Sequence, residues 1–177
     1  MTGLTLLEGL ICDNCQIEKL DGLESGLTAL ESLWCSDNKL SEISVKGLEA
    51  LQRLECGGNN ITSLDLSGLT ELTDFSYYES PVTTLNVSGC TALESLFLQA
   101  GLKNLDITGC TNLSSLNEDT GGEVQMETVK LDTMHDTFFQ GTKYLWGVKD
   151  SNIYKVEDGH KQGYQYPVFT YSSSTAE

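Results

Sequence analysis

A chain of 177 residues with 26 acidic and 10 basic side chains carries a formal charge of −16. Such a field repels phosphate backbones and anionic lipid surfaces, which argues against a nucleic-acid partner. No stretch approaches the roughly 18 consecutive apolar residues of a membrane span, and Met1 to Asn14 lacks the basic flank of a secretory signal.

In chain order, the first periodic element places apolar or thiol side chains at Leu7, Leu10, Cys12, Cys15, Ile17 and Leu20. The pattern returns at Leu30, Leu33, Cys35, Asn38, Leu40 and Ile43, a 23-residue step lengthened by two residues within Asp21 to Gly26. It repeats 21 residues later at Leu51, Leu54, Cys56, Asn59, Ile61 and Leu64, and 21 later again at Leu72, Phe75, Tyr77, Ser80, Val82 and Leu85. A fifth copy opens at Leu93, Leu96 and Leu98, then drops one residue before Leu102 and Leu105. A sixth begins at Leu113 and Leu116 and decays. No single helix or strand gives this spacing, so each copy is one coil of a repeat architecture.

The pattern L-x-x-L-x-C-x-x-N-x-L in the second and third copies resembles the leucine-rich repeat family, whose signature is L-x-x-L-x-L-x-x-N/C-x-L. The phrases Leu85-Asn86-Val87-Ser88-Gly89-Cys90-Thr91 and Leu105-Asp106-Ile107-Thr108-Gly109-Cys110-Thr111 look like the short repeats of bacterial cell-surface proteins. The resemblance covers about two thirds of the chain. It implies a leucine-rich-repeat solenoid, a right-handed β-rich superhelix of short parallel strands with few or no full helices. Residues 1–122 would form about six coils, and residues 123–177 an atypical last coil, a small β-rich C-terminal cap and a disordered tail. The same resemblance implies a secreted or cell-surface setting, with the export signal outside this sequence.

Within each coil the L-x-L triplet reads as a short strand, one per coil, stacking in parallel into a concave sheet. Alternation then sends Leu33 and Cys35 inward and Trp34 outward. About 20 residues per coil leave little room for a helix on the return side, so extended and 3₁₀ segments are expected there. Asn38 and Asn59 fall where the strand turns away, and their amides can satisfy backbone groups of neighbouring coils as a buried ladder. Cys15 and Ser80 replace asparagine in the first and fourth copies, and the fifth has lost the slot, which predicts a weaker ladder toward the C-terminal half.

Six cysteines invite a disulfide or metal reading, but Cys12, Cys35 and Cys56 share one slot, a core leucine in the family pattern, and Cys90 and Cys110 share another, held by Leu27, Leu48 and Leu69 in earlier copies. Free cysteine serves there as a small buried hydrophobe. Cys12-x-x-Cys15 has the spacing of a redox motif or half a zinc site, yet no second C-x-x-C follows it. His135-Asp136 has no identifiable nucleophile. Six free thiols, no metal, no cofactor and no enzymatic activity are expected.

The outward slots of the concave face hold Ile11, Trp34, Glu55, Ser76, Phe97 and Asn117 at the strand centre, and Gly9, Ser32, Arg53, Asp74, Ser95 and Ser115 before it. Asp13, Ser36, Gly57, Tyr78 and Gln99 follow just beyond. Aromatic anchors among polar and charged neighbours are the mixture of binding surfaces. Trp34, Arg53, Glu55, Asp74, Tyr78 and Phe97 are therefore the candidate ligand-binding residues. Another protein is the expected partner; a cell-surface glycan and a spacer role in an envelope protein are the alternatives.

At the ends, Met126, Val129, Leu131 and Met134 echo the register of one last coil. Tyr144 to Val148, Ile153 to Val156 and Tyr166 to Tyr171 read as the strands of the cap, and Ser172 to Glu177 as the tail. Met1 to Leu7 provides no polar cap, so the first coil presents an edge that upstream sequence or an edge-mediated homodimer would cover.

Overall fold

The computed structural model describes residues 4–23, 26–99, 101–118 and 127–132, together with strand backbone at 147–149, 152–154 and 168–171. Among these residues there are short strands and no helix. In chain order the strands are β1 (Gly9–Ile11), β2 (Ser32–Trp34), β3 (Arg53–Glu55), β4 (Ser63–Asp65), β5 (Asp74–Ser76), β6 (Thr84–Asn86) and β7 (Ser95–Leu98). They continue as β8 (Asn104–Asp106), β9 (Ser115–Glu118), β10 (Thr128–Leu131), β11 (Gly147–Lys149), β12 (Asn152–Tyr154) and β13 (Val168–Tyr171).

The first sheet runs β1-β2-β3-β5, all parallel, with the central leucines in register: Leu10 beside Leu33, Leu33 beside Leu54, Leu54 beside Phe75. Each triplet places one apolar side chain between two outward ones, so stacking one coil on the next builds a continuous row of buried residues. Leu33 and Leu54 are fully buried. The strands β7 and β9 pair with each other but form a separate sheet.

A second parallel sheet occupies the return side. Its strands β4, β6, β8 and β10 align Leu64, Leu85, Leu105 and Val129 in a second buried row. The return side, expected to be extended with 3₁₀ segments, is a paired sheet from Ser63 onward, followed by single 3₁₀-type turns in which the N–H groups of Leu69 and Leu72 donate to the carbonyls of Leu66 at 3.3 Å and Leu69 at 3.2 Å. The signal was present in Ser63-Leu64-Asp65, Thr84-Leu85-Asn86 and Asn104-Leu105-Asp106, where one leucine lies between two polar residues. Beyond this sheet the chain turns through Gly68, Gly89 and Gly109, with φ of 77°, 75° and 74°. These glycines stack: a Cβ on Gly109 would lie 3.3 Å from the Cα of Gly89.

The asparagine ladder is present. The Asn38 carboxamide oxygen accepts the N–H groups of Cys15 at 3.0 Å and Ile17 at 2.9 Å, and its Nδ2 donates to the Cys12 carbonyl at 2.8 Å. Asn59 repeats this toward the second coil, and its own N–H donates to the Ser80 hydroxyl at 3.2 Å. Ser80 thus carries the ladder one coil further with fewer bonds.

All six cysteines are free. Cys35, Cys56, Cys90 and Cys110 are buried, and each thiol points at a carbonyl of an adjacent coil. Burial pushes the thiols of Cys56 and Cys110 up to about 12 and that of Cys90 to about 11, and it raises Cys35 as well. Two positions depart from the expected core role. Cys12 is half-buried because the first coil has a described neighbour on one side alone, and Cys15 is exposed, its thiol donating to the Asp13 carbonyl at 3.2 Å.

Beyond the repeats, β10 pairs in parallel with both β8 and β13, while β12 pairs antiparallel with β11 and β13. Val129 and Leu131 of the expected last coil are buried in β10. Met126, Met134, His135, Trp146, His160 and the tail fall outside the described residues. At the opposite end β1 is a sheet edge, with Leu6 and Ile11 exposed at 88% and 72%.

Candidate functional site

The outward face of the first sheet is built by register alone. Parallel pairing aligns Trp34 with Glu55 and Ser76, and Ser32 with Arg53 and Asp74. Neighbouring strands in a parallel sheet lie about 4.8 Å apart, so side chains on adjacent coils are within reach of one another. The Trp34 indole N–H donates to Glu55 Oε1 at 3.1 Å, and Arg53 Nε lies 3.5 Å from Asp74 Oδ2. Both members of the Arg53–Asp74 pair are largely exposed, so water screens it heavily.

The aromatic part of the face depends on a glycine. A Cβ on Gly57 would lie 2.7 Å from Tyr78 Cδ1 and 2.7 Å from the Tyr78 carbonyl oxygen, so the ring and backbone of Tyr78 cover the third coil where no side chain can stand. Tyr78 and Phe97 remain exposed at 38% and 54%. Beneath them Tyr77 points inward, stacked on Phe75 with ring centroids 5.1 Å apart and planes at 10°. The Tyr77 hydroxyl accepts the Gln99 N–H at 3.3 Å.

These residues surround a groove of about 580 Å³ whose walls include Arg53, Glu55, Asp74, Tyr78 and Phe97, with Phe75, Tyr77 and Gln99 among the other contributors. Five of the six candidate residues therefore share one concavity, and Trp34 borders it through its bond to Glu55. Three slots do not decorate the face as expected: Ser32, Ser36 and Gly57 are buried between flanking coils. Ser36 donates its backbone N–H to Asp13 Oδ1 at 2.7 Å, which draws that turn inward. Phe75 and Tyr77 escaped the choice of site residues because their slots are core positions in every other coil, whereas Gln99 lies in the outward slot that also holds Tyr78. Among the described residues no three His, Cys, Asp or Glu side chains converge as metal ligands would.

Residues 5–48, which hold the first two coils, match the family model described as Leucine Rich repeats (2 copies). These residues hold leucine-rich repeats, and the parallel-strand solenoid that continues from them has a fold consistent with a leucine-rich-repeat solenoid. No curated protein and no solved structure matches the chain. The repeat geometry extends past the matched residues, since β3 and β5 continue the register of β1 and β2. Leucine-rich-repeat domains generally mediate protein–protein interaction, and the solenoid is typically a binding scaffold without catalysis. Among the described residues no helix is long and apolar enough to cross a membrane.

Proposed function

We propose that this leucine-rich-repeat solenoid binds another protein through the outward face of its first sheet, using Trp34, Arg53, Glu55, Asp74, Tyr78 and Phe97. The observation that carries the reading is the gathering of five of these residues around one groove, with exposed aromatics beside charged groups. Large aromatic side chains supply contact area at small entropic cost, and charged neighbours fix orientation. The likeness of the Leu85–Thr91 and Leu105–Thr111 phrases to bacterial surface repeats supports a cell-surface setting for that encounter.

The test is capture of proteins from a surface extract by the wild type and by a Trp34→Ala, Phe97→Ala double variant in parallel. A partner retained by the wild type and lost by the double variant is the expected result. Equal capture by both would move the site off this face. Binding on a glycan array with no protein captured would replace the protein partner by a carbohydrate.

A further inference from the structure

The first sheet parts at one junction. The strand β5 pairs with β3, and β7 pairs with β9, but β5 and β7 do not pair with each other. On the return side of the same two coils, β6 and β8 pair through all three residues. The fourth and fifth coils are thus joined on one side and separated on the other, and the groove opens over the separation, drawing its walls from both coils.

Sequence accounts for the parting. The slot that holds Cys12, Cys35 and Cys56 in the first three coils and Leu98 in the fifth holds Tyr77 in the fourth. A buried phenol ring needs far more room than a thiol, and this one is stacked on Phe75 in the same strand segment. Its hydroxyl reaches the fifth coil and accepts the Gln99 N–H. The ring thus occupies the junction between the fourth and fifth coils, where β5 and β7 do not pair.

We propose that the parting is a docking slot for one extended, basic segment of a protein partner, added as a strand along the β5 edge. An unpaired strand edge offers alternating N–H and carbonyl groups to any extended chain. Charge selects which chain. Glu55 and Asp74 line the groove against Arg53 alone, Arg53 is already held by Asp74, and the protein as a whole carries −16. An acidic segment, including a second copy of this chain, is repelled, whereas lysine or arginine side chains meet the Glu55 carboxylate and the faces of Tyr78 and Phe97. The inference rests on the protein-binding role proposed for this face.

The test pans the full chain against a displayed library of random decapeptides. The expected winners carry lysine or arginine at alternate positions. In a synthetic copy of the best binder, methylation of alternate backbone nitrogens in one phase weakens binding by about tenfold or more, and in the other phase has little effect. The variants Glu55→Gln and Asp74→Asn, both at the surface, weaken it as well, and Tyr77→Leu, which gives the fourth coil the residue type of the fifth, closes the slot. Selection of neutral or acidic peptides, selection of none, or equal binding by both methylated series overturns the proposal. If the Trp34→Ala, Phe97→Ala variant still loses a captured protein in that event, the face binds protein by another mode.

Discussion

Asn59 Nδ2 lies 3.0 Å from the carbonyl oxygen of Cys35, one coil earlier, while its Oδ1 accepts the N–H of Leu40 at 3.0 Å. One side chain thus satisfies backbone groups that two successive coils leave buried, because the chain there turns out of the sheet and loses its strand partners. Replacing it with leucine keeps the branched shape and removes every bond of the side chain. Asn59→Leu is expected to lower unfolding free energy by about 3 kcal/mol, the cost of stranding buried polar groups. Urea denaturation checks this, and Ser80→Ala, with fewer bonds at stake, should cost less.

Gly57 tests the aromatic half of the groove. Gly57→Ala would put a methyl group against the Tyr78 backbone, which cannot swing away as a flexible side chain can. A cost of about 1–3 kcal/mol is expected, along with a displaced Tyr78 ring, read from the tyrosine resonances in an NMR spectrum.

Asp74→Asn should separate binding from stability. The Arg53–Asp74 pair is exposed on both sides, so its loss is expected to change unfolding free energy by less than about 0.5 kcal/mol. Thermal melts should overlay those of the wild type, while capture of a basic partner weakens.

How much of this was legible beforehand differs between fold and site. Leucine spacing specified the coils, because each apolar slot does the same work in every turn; Leu33, Leu54 and Leu96 are buried for one reason. The second sheet was harder to see, since a single leucine between polar residues, as in Ser63-Leu64-Asp65, is too short a signal to separate a strand from an extended loop. Alternation found Trp34, Glu55, Tyr78 and Phe97. It could not find the groove itself, which arises from the missing β5–β7 pairing and from Tyr77, a residue whose own slot reads as core. Nor could it foresee that Ser32 and Ser36 are enclosed by neighbouring coils.

Thiol chemistry gives a further prediction. In the native state Cys15 should alkylate first, being exposed, whereas Cys35, Cys56, Cys90 and Cys110 should resist until the chain unfolds. Mass spectrometry after brief iodoacetamide treatment at pH 8, with and without denaturant, reads the order of modification. Rapid native labelling of Cys56 would contradict its burial.

The same burial predicts a pH dependence. A thiol of the unfolded chain ionises near 9.0, whereas those of Cys90, Cys56 and Cys110 in the fold wait until about 11 to 12. Below pH 9 both states hold the proton, and these thiols contribute no slope. Above it the unfolded state binds fewer protons, so stability falls as pH rises, by up to about 1.4 kcal/mol per pH unit for each such thiol. The fall levels off once the folded thiols ionise. Melting temperatures between pH 8 and 10.5 should decline more steeply for the wild type than for Cys56→Ala or Cys90→Ala, measured relative to each protein's value at pH 8.

The stacked glycines of the second sheet carry an architectural consequence. Gly68, Gly89 and Gly109 occupy equivalent points of successive turns, and β4, β6 and β8 meet in identical register. In the second sheet each turn therefore offers its successor the same surface that it received from its predecessor. Splicing in a duplicate of residues 67–87 would extend the second sheet in register by one strand spacing, about 4.8 Å, and would place a second Tyr77 on the first-sheet side. On the second-sheet side, array length is then a quantity that gene duplication can change in fixed increments.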